Sequence, residues 1–103
     1  RWYPNLMNGR MRAFHCLDIC FWFNNTDLMW SHTGGSKEAR VLSSKMAESL
    51  AAFMRTGNPN SGNKKGLPTW NQFTPQNGET MVLDNNPSFG NAPDAAVREM
   101  MAN

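Results

Sequence analysis

The chain has 103 residues, 40% hydrophobic and 17% charged, inside the ordinary globular range and enough for one small domain with a thin core. Its net charge of +2 comes from basic residues scattered between Arg1 and Arg98, with no stripe that could track phosphates, so nucleic acid is not an expected partner. No apolar run approaches the roughly 18 residues that a membrane-spanning helix needs, and a membrane partner is not expected either.

The sequence opens at Arg1 without a charged-then-apolar leader, so its true start is expected upstream and no localisation follows from it. Tyr3-Pro4-Asn5 and Asn8-Gly9 are turn formers, and residues 1–12 are predicted to be loop. Residues 13–23 form an apolar run too short to separate helix from strand by period. A short helix or helical turn ending at Asn24-Asn25 is predicted there. Cys16 and Cys20, four residues apart, would be neighbours on one helical face, and both are expected as buried free thiols, since a disulfide scaffold of this size needs more cysteines.

Asn25, Thr26 and Asp27 offer cap oxygens to a brief turn through Leu28, Met29 and Trp30. Ser36 is a good N-cap for the one long helix, predicted over 37–55, with Glu38 in its first turn and Gly57 as its stop. Ala39, Leu42, Met46, Ser49, Leu50 and Phe53 recur at helical spacing, with Val41 and Met54 widening the apolar stripe. Residues 58–66 read as a turn-rich exposed connection, and 67–73 as an extended segment pinned by Trp70. Asn77-Gly78 marks a tight turn before a short strand over 79–84. An irregular stretch over 87–93 and a closing helix over 94–101 follow.

Two histidines carry most of the candidate chemistry. His15 lies among apolar neighbours that can keep an imidazole neutral and oriented, as a general base near neutral pH must be, yet a lone histidine beside Phe14 and Leu17 is more often a hydrogen-bonded structural residue. His32, in a Ser-His-Thr-Gly setting, reads as a surface residue. A zinc site would need four ligands, and His15, Cys16 and Cys20 lack a further Cys or His pair, so no metal and no cofactor are expected. The tryptophans and methionines read mainly as core, and Asn24-Asn25-Thr26 fits a glycosylation acceptor triplet that is common by chance.

Taken as a pattern, residues 13–23 resemble the catalytic-histidine signature of the type-B carboxylesterases, the family of the para-nitrobenzyl esterases and cholinesterases. The matching positions are His15, Asp18, Ile19, Phe21 and Phe23. The resemblance extends to Asn8-Gly9-Arg10, to Asn24-Asn25-Thr26-Asp27, to residues 53–60, to Leu67-Pro68-Thr69-Trp70 and to residues 80–84, in the same order and spacing.

It implies an α/β-hydrolase fold of which this chain is a partial domain over residues 1–103, the C-terminal portion, mostly helices and loops with one short strand or hairpin. It also implies a triad in the chain order Ser, acid, His, of which only the last member, His15, is present. No G-x-S-x-G elbow occurs, and Gly34-Gly35-Ser36-Lys37-Glu38 lacks its second glycine. The partners implied are a small-molecule carboxylic ester and the missing N-terminal part of the same enzyme. Asp18, three residues from His15 on one turn, is poorly placed to orient the ring and is expected as a support of the loop. Two other classes stay open: a hydrolase-like adhesion or interaction protein that has lost triad members, and a free-standing helical binding module.

Overall fold

The computed structural model describes residues 2–61 and 66–102. Its elements run as a one-turn segment Leu6–Gly9, α1 Ile19–Trp22, a 3₁₀ turn Thr26–Met29, α2 Trp30–Thr33, α3 Lys37–Thr56, β1 Glu79–Val82, β2 Ser88–Asn91 and α4 Ala95–Ala102. Helices and loops thus dominate, with a single antiparallel hairpin in which Glu79 faces Asn91 and Val82 faces Ser88. That is the balance of elements the sequence leads one to expect.

The long helix forms where its end signals stand. Ser36 is extended, and its Oγ accepts from the Ala39 N–H at 3.1 Å, satisfying one of the donors that a helix start leaves open. At the other end Gly57 adopts φ +75°, and its N–H reaches the Phe53 carbonyl at 2.7 Å. Ala39, Leu42, Met46 and Ser49 are buried as their spacing predicts, but Val41 and Met54 are exposed and Phe53 is 53% exposed. The buried face is rotated instead toward Ser43 and Ala52. α1 packs against α3, and Ser43 meets its Phe21 carbonyl.

The core gathers Trp2, Leu17, Cys20, Phe21, Ala39, Leu42 and Met46. Trp2 stacks against Phe21 with ring centroids 5.4 Å apart at 55°, and its indole N–H donates to the Thr33 carbonyl at 3.2 Å, which gives a buried tryptophan the polar partner it needs. The apolar run over 13–23 is helical only from Ile19, because Cys16 takes φ +67° in the turn before it. The same left-handed residue removes the helical register between the two cysteines. Both are free, but only Cys20 is buried, and Cys16 is exposed, a correction to the expected buried pair.

Other expectations are corrected by long-range contacts. Asn25 precedes its turn without a side-chain cap and accepts the Leu28 N–H with its main-chain carbonyl. Residues 88–91, expected as irregular, form β2, because their ladder is supplied by β1 and not by an apolar alternation of their own. The 67–73 segment is pinned less by the Trp70 ring, which is half-buried, than by Asn60. The Asn60 side-chain amide donates to the Trp70 carbonyl at 2.9 Å and accepts its N–H at 2.7 Å, as a neighbouring strand would. Residues 62–65 of the preceding connection lie outside the described residues.

The Asn77-Gly78 turn closes with Gly78 at φ +61° and its N–H on the Thr74 carbonyl at 2.8 Å. Glu79 fastens it: its carboxylate accepts from the Thr74 N–H at 2.7 Å, the Thr74 hydroxyl at 2.9 Å and the Asn77 amide at 3.2 Å. Hydrogen bonding from its own amide, then from Thr74 and Asn77, holds the Glu79 carboxyl below the usual carboxylate range against the opposing effect of burial. A depressed folded-state pKa contributes stability that is complete above the unfolded value and is lost as pH falls through the folded one. Lowering the pH below about 4 is therefore expected to reduce the melting temperature more in the native chain than in Glu79→Gln, followed by circular dichroism. Equal acid sensitivity of the two would remove Glu79 from the account.

Candidate functional site

His15 stands on the turn that leads into α1. The turn closes through the Leu17 N–H on the Phe14 carbonyl at 3.2 Å and the Ile19 N–H on the Cys16 carbonyl at 3.3 Å. The Phe21 and Trp22 N–H groups then reach the Asp18 carbonyl at 3.0 and 3.1 Å. Leu17, Cys20 and Phe21 sink into the core while His15, Cys16 and Ile19 remain exposed, so one side of the segment is anchored and the other carries the imidazole. Among the described residues no hydrogen bond or ion pair engages the His15 ring. An exposed imidazole on an anchored turn is free to exchange a proton with a group brought to it.

Asp18 directs its main-chain carbonyl, not its carboxylate, into the start of α1, and no side-chain cap bond forms there. Asp18 borders an open cavity of about 440 Å³ next to the turn, whose walls include Phe14, Leu17, Trp22 and Met81. Burial pushes the Cys20 thiol up, against hydrogen bonding from main-chain groups, and its Sγ donates to the Leu17 carbonyl at 3.3 Å. Cys20 is thus a packed structural thiol.

His32 belongs to α2, and its Nδ1 lies 3.0 Å from the Ser31 hydroxyl. Its ring sits 6.0 Å from that of Phe14, beside the His15 turn, a proximity that the intervening loop hides in the sequence. Ser43, which no motif singles out, donates its hydroxyl to the Phe21 carbonyl at 2.9 Å and is fully buried. The only trace of it in the sequence is a small polar residue beside Leu42 on the buried side of the helix. Among the described residues no group of three or more His, Cys, Asp and Glu side chains converges as a metal site would require, and no helix is long and apolar enough to cross a membrane.

The chain matches the family model described as "Carboxylesterase family" over residues 1–101. It is 26% identical over 92 residues to the para-nitrobenzyl esterase of Bacillus subtilis (strain 168), an alignment that takes in 87% of this chain and 18% of that protein. Among solved structures it is similar to a PNB esterase with a TM-score of 0.77 and 26% identity, over 95% of this chain and 20% of the other. A thermophilic PNB esterase gives the same TM-score, identity and coverage. The carboxylesterase of Geobacillus stearothermophilus, at 22% identity and a TM-score of 0.67 over 84% of this chain and 18% of its own, shares the fold. The chain therefore spans about a fifth of the length of the relatives it matches.

Proposed function

The chain belongs to the carboxylesterase family, and we propose that it is the C-terminal part of a serine carboxylesterase to which it supplies the catalytic histidine, His15. The observation that carries this is the placement of His15: an exposed imidazole with no partner among the described residues, on a turn whose opposite side is buried, inside a family match that covers 1–101. The reaction is hydrolysis of a small carboxylic ester on the larger α/β-hydrolase fold.

In it His15 takes the proton of a serine hydroxyl as that oxygen attacks the ester carbonyl, and returns the proton to the departing alcohol, leaving an acyl-serine. A water molecule, deprotonated by the same imidazole, then releases the carboxylic acid and restores the serine. The serine, the acid that orients His15 and the oxyanion donors belong to the N-terminal part of the enzyme. Asp18 supports the turn through its main chain.

The exposed apolar side chains fit a partial domain. Ile19 is 50% and Phe23 72% exposed in the same segment of chain as His15, and α4 buries none of its residues while showing Val97, Met100 and Met101 to solvent. Surfaces of this kind are usually covered by something, and the remaining four-fifths of the hydrolase is the natural cover. The 103-residue chain alone is expected to show no turnover of a p-nitrophenyl ester, because a base without nucleophile and oxyanion donors lacks the acyl-enzyme route. A longer protein that contains it is expected to hydrolyse the same ester. Turnover by the short chain that disappears in His15→Ala would overturn the division of the site between two parts. An inert longer protein would favour a binding role for a hydrolase-like fold.

A further inference from the structure

We propose that Ser43 is a positioning residue for His15: its buried hydroxyl, bonded to the Phe21 carbonyl at 2.9 Å, fixes the turn that carries the imidazole against the long helix α3. The assignment holds only if His15 is the catalytic histidine, as proposed above.

Nothing among the described residues holds the His15 ring through its own nitrogens, so its position follows from its main chain. That main chain is not self-sufficient. Cys16 sits at φ +67°, a conformation that a non-glycine residue keeps only when its surroundings impose it. The turn's own bonds, at 3.2 and 3.3 Å, are at the long end of the range for an N–H donor. The restraint has to come from outside the segment.

Two things reach it from α3. Leu42 and Met46 pack against Leu17 and Phe21 in the core, but apolar packing is non-directional and tolerates a small slide of one element along another. Ser43 does not tolerate one. Its hydroxyl is fully buried, and among the described residues it is the only side chain outside 14–23 that hydrogen-bonds to that segment. A directional bond in a dry environment specifies a register. From Phe21 the fixation passes back through the Phe21 N–H to the Asp18 carbonyl, and so to the turn of His15.

The same helix provides a matched comparison. Ser49 is also buried and also donates to a main-chain carbonyl, that of Pro59 at 3.1 Å, but this carbonyl belongs to the loop after α3 and not to the histidine segment. Loss of the Ser43 hydroxyl removes a buried hydrogen bond and loss of the Ser49 hydroxyl a part-buried one, and neither leaves a donor stranded. A purely structural role would make the two serines equivalent.

The experiment is p-nitrophenyl ester hydrolysis by the full-length esterase that carries this segment, as Ser43→Ala, Ser49→Ala and His15→Ala. Ser43→Ala is expected to lower kcat about tenfold with KM within about twofold, because a displaced base impairs the chemical step more than ester binding. Ser49→Ala is expected to keep kcat within about twofold while lowering the melting temperature as Ser43→Ala also does. Equal kcat in the two serine variants, whether both fall or neither does, overturns the assignment of Ser43. If Ser43→Ala does not fold, Ser43→Cys, with a weaker donor in nearly the same volume, takes its place and is expected to fall below Ser49→Ala in kcat. His15→Ala separates the two levels: full turnover without the imidazole removes the function proposed for His15, whereas an inactive His15→Ala beside equivalent serine variants removes only the role of Ser43.

Discussion

His15→Ala in the full-length protein is expected to lower kcat for ester hydrolysis by roughly three orders of magnitude or more, with the melting temperature of the 103-residue chain nearly unchanged, because in the proposed mechanism the imidazole would carry the proton in both half-reactions. The exposure of His15 makes the pair of measurements informative. The side chain contributes no hydrogen bond within the described residues, so in the 103-residue chain its removal should move stability by no more than about 0.5 kcal/mol, as for an ordinary surface position. A large loss of rate at constant stability would mark a chemical role. A rise in KM at constant kcat would place His15 in ester binding instead, and no change in either would leave the chain its family fold without a catalytic part in it.

The features that were legible in the sequence are those whose cause is local. The α3 helix announces itself by Ser36, Gly57 and the spacing of Ala39, Leu42 and Met46, because cap chemistry and helical period act over a few residues. The Asn77-Gly78 turn is of the same kind. What stayed hidden depends on partners far along the chain. Strand β2 has only Phe89 as a large apolar residue and exists through its pairing with β1. The extended segment around Trp70 is held by an asparagine ten residues earlier. The left-handed Cys16 sits in a run whose period separates neither helix from strand nor turn from helix, and it turned a predicted buried thiol outward.

The candidate site divides in the same way. His15 stands out by pattern, since its neighbours at fixed offsets resemble a family signature, whereas its anchorage does not. Ser43 is 22 residues from the carbonyl it holds, and a serine on a helix gives no sign of whether its hydroxyl meets water, its own backbone or another element. The contact of Phe14 with His32 likewise appears only when α2 folds back beside the turn. Chemistry-bearing residue types can be found by inspection; the residues that orient them are found by contact.

Phe21→Ala is expected to be the most damaging single truncation in this region, costing about 3–5 kcal/mol of stability in a denaturant melt of the 103-residue chain. Phe21 is 2% exposed, stacks on Trp2 and shares the core with Leu17, Leu42 and Met46, so its removal leaves a cavity at the junction of the N-terminal loop, α1 and α3. A loss of that size is a large part of the roughly 5–15 kcal/mol that keeps a domain folded. Phe23, two residues on and 72% exposed, is the control: in the same chain Phe23→Ala should change stability by no more than about 0.5 kcal/mol. The two phenylalanines should converge in the full-length protein if the part that precedes this chain covers the face that Phe23 exposes. A Phe23→Ala variant that is harmless in both settings would show that this face stays open, and the cover proposed for it would have to lie elsewhere.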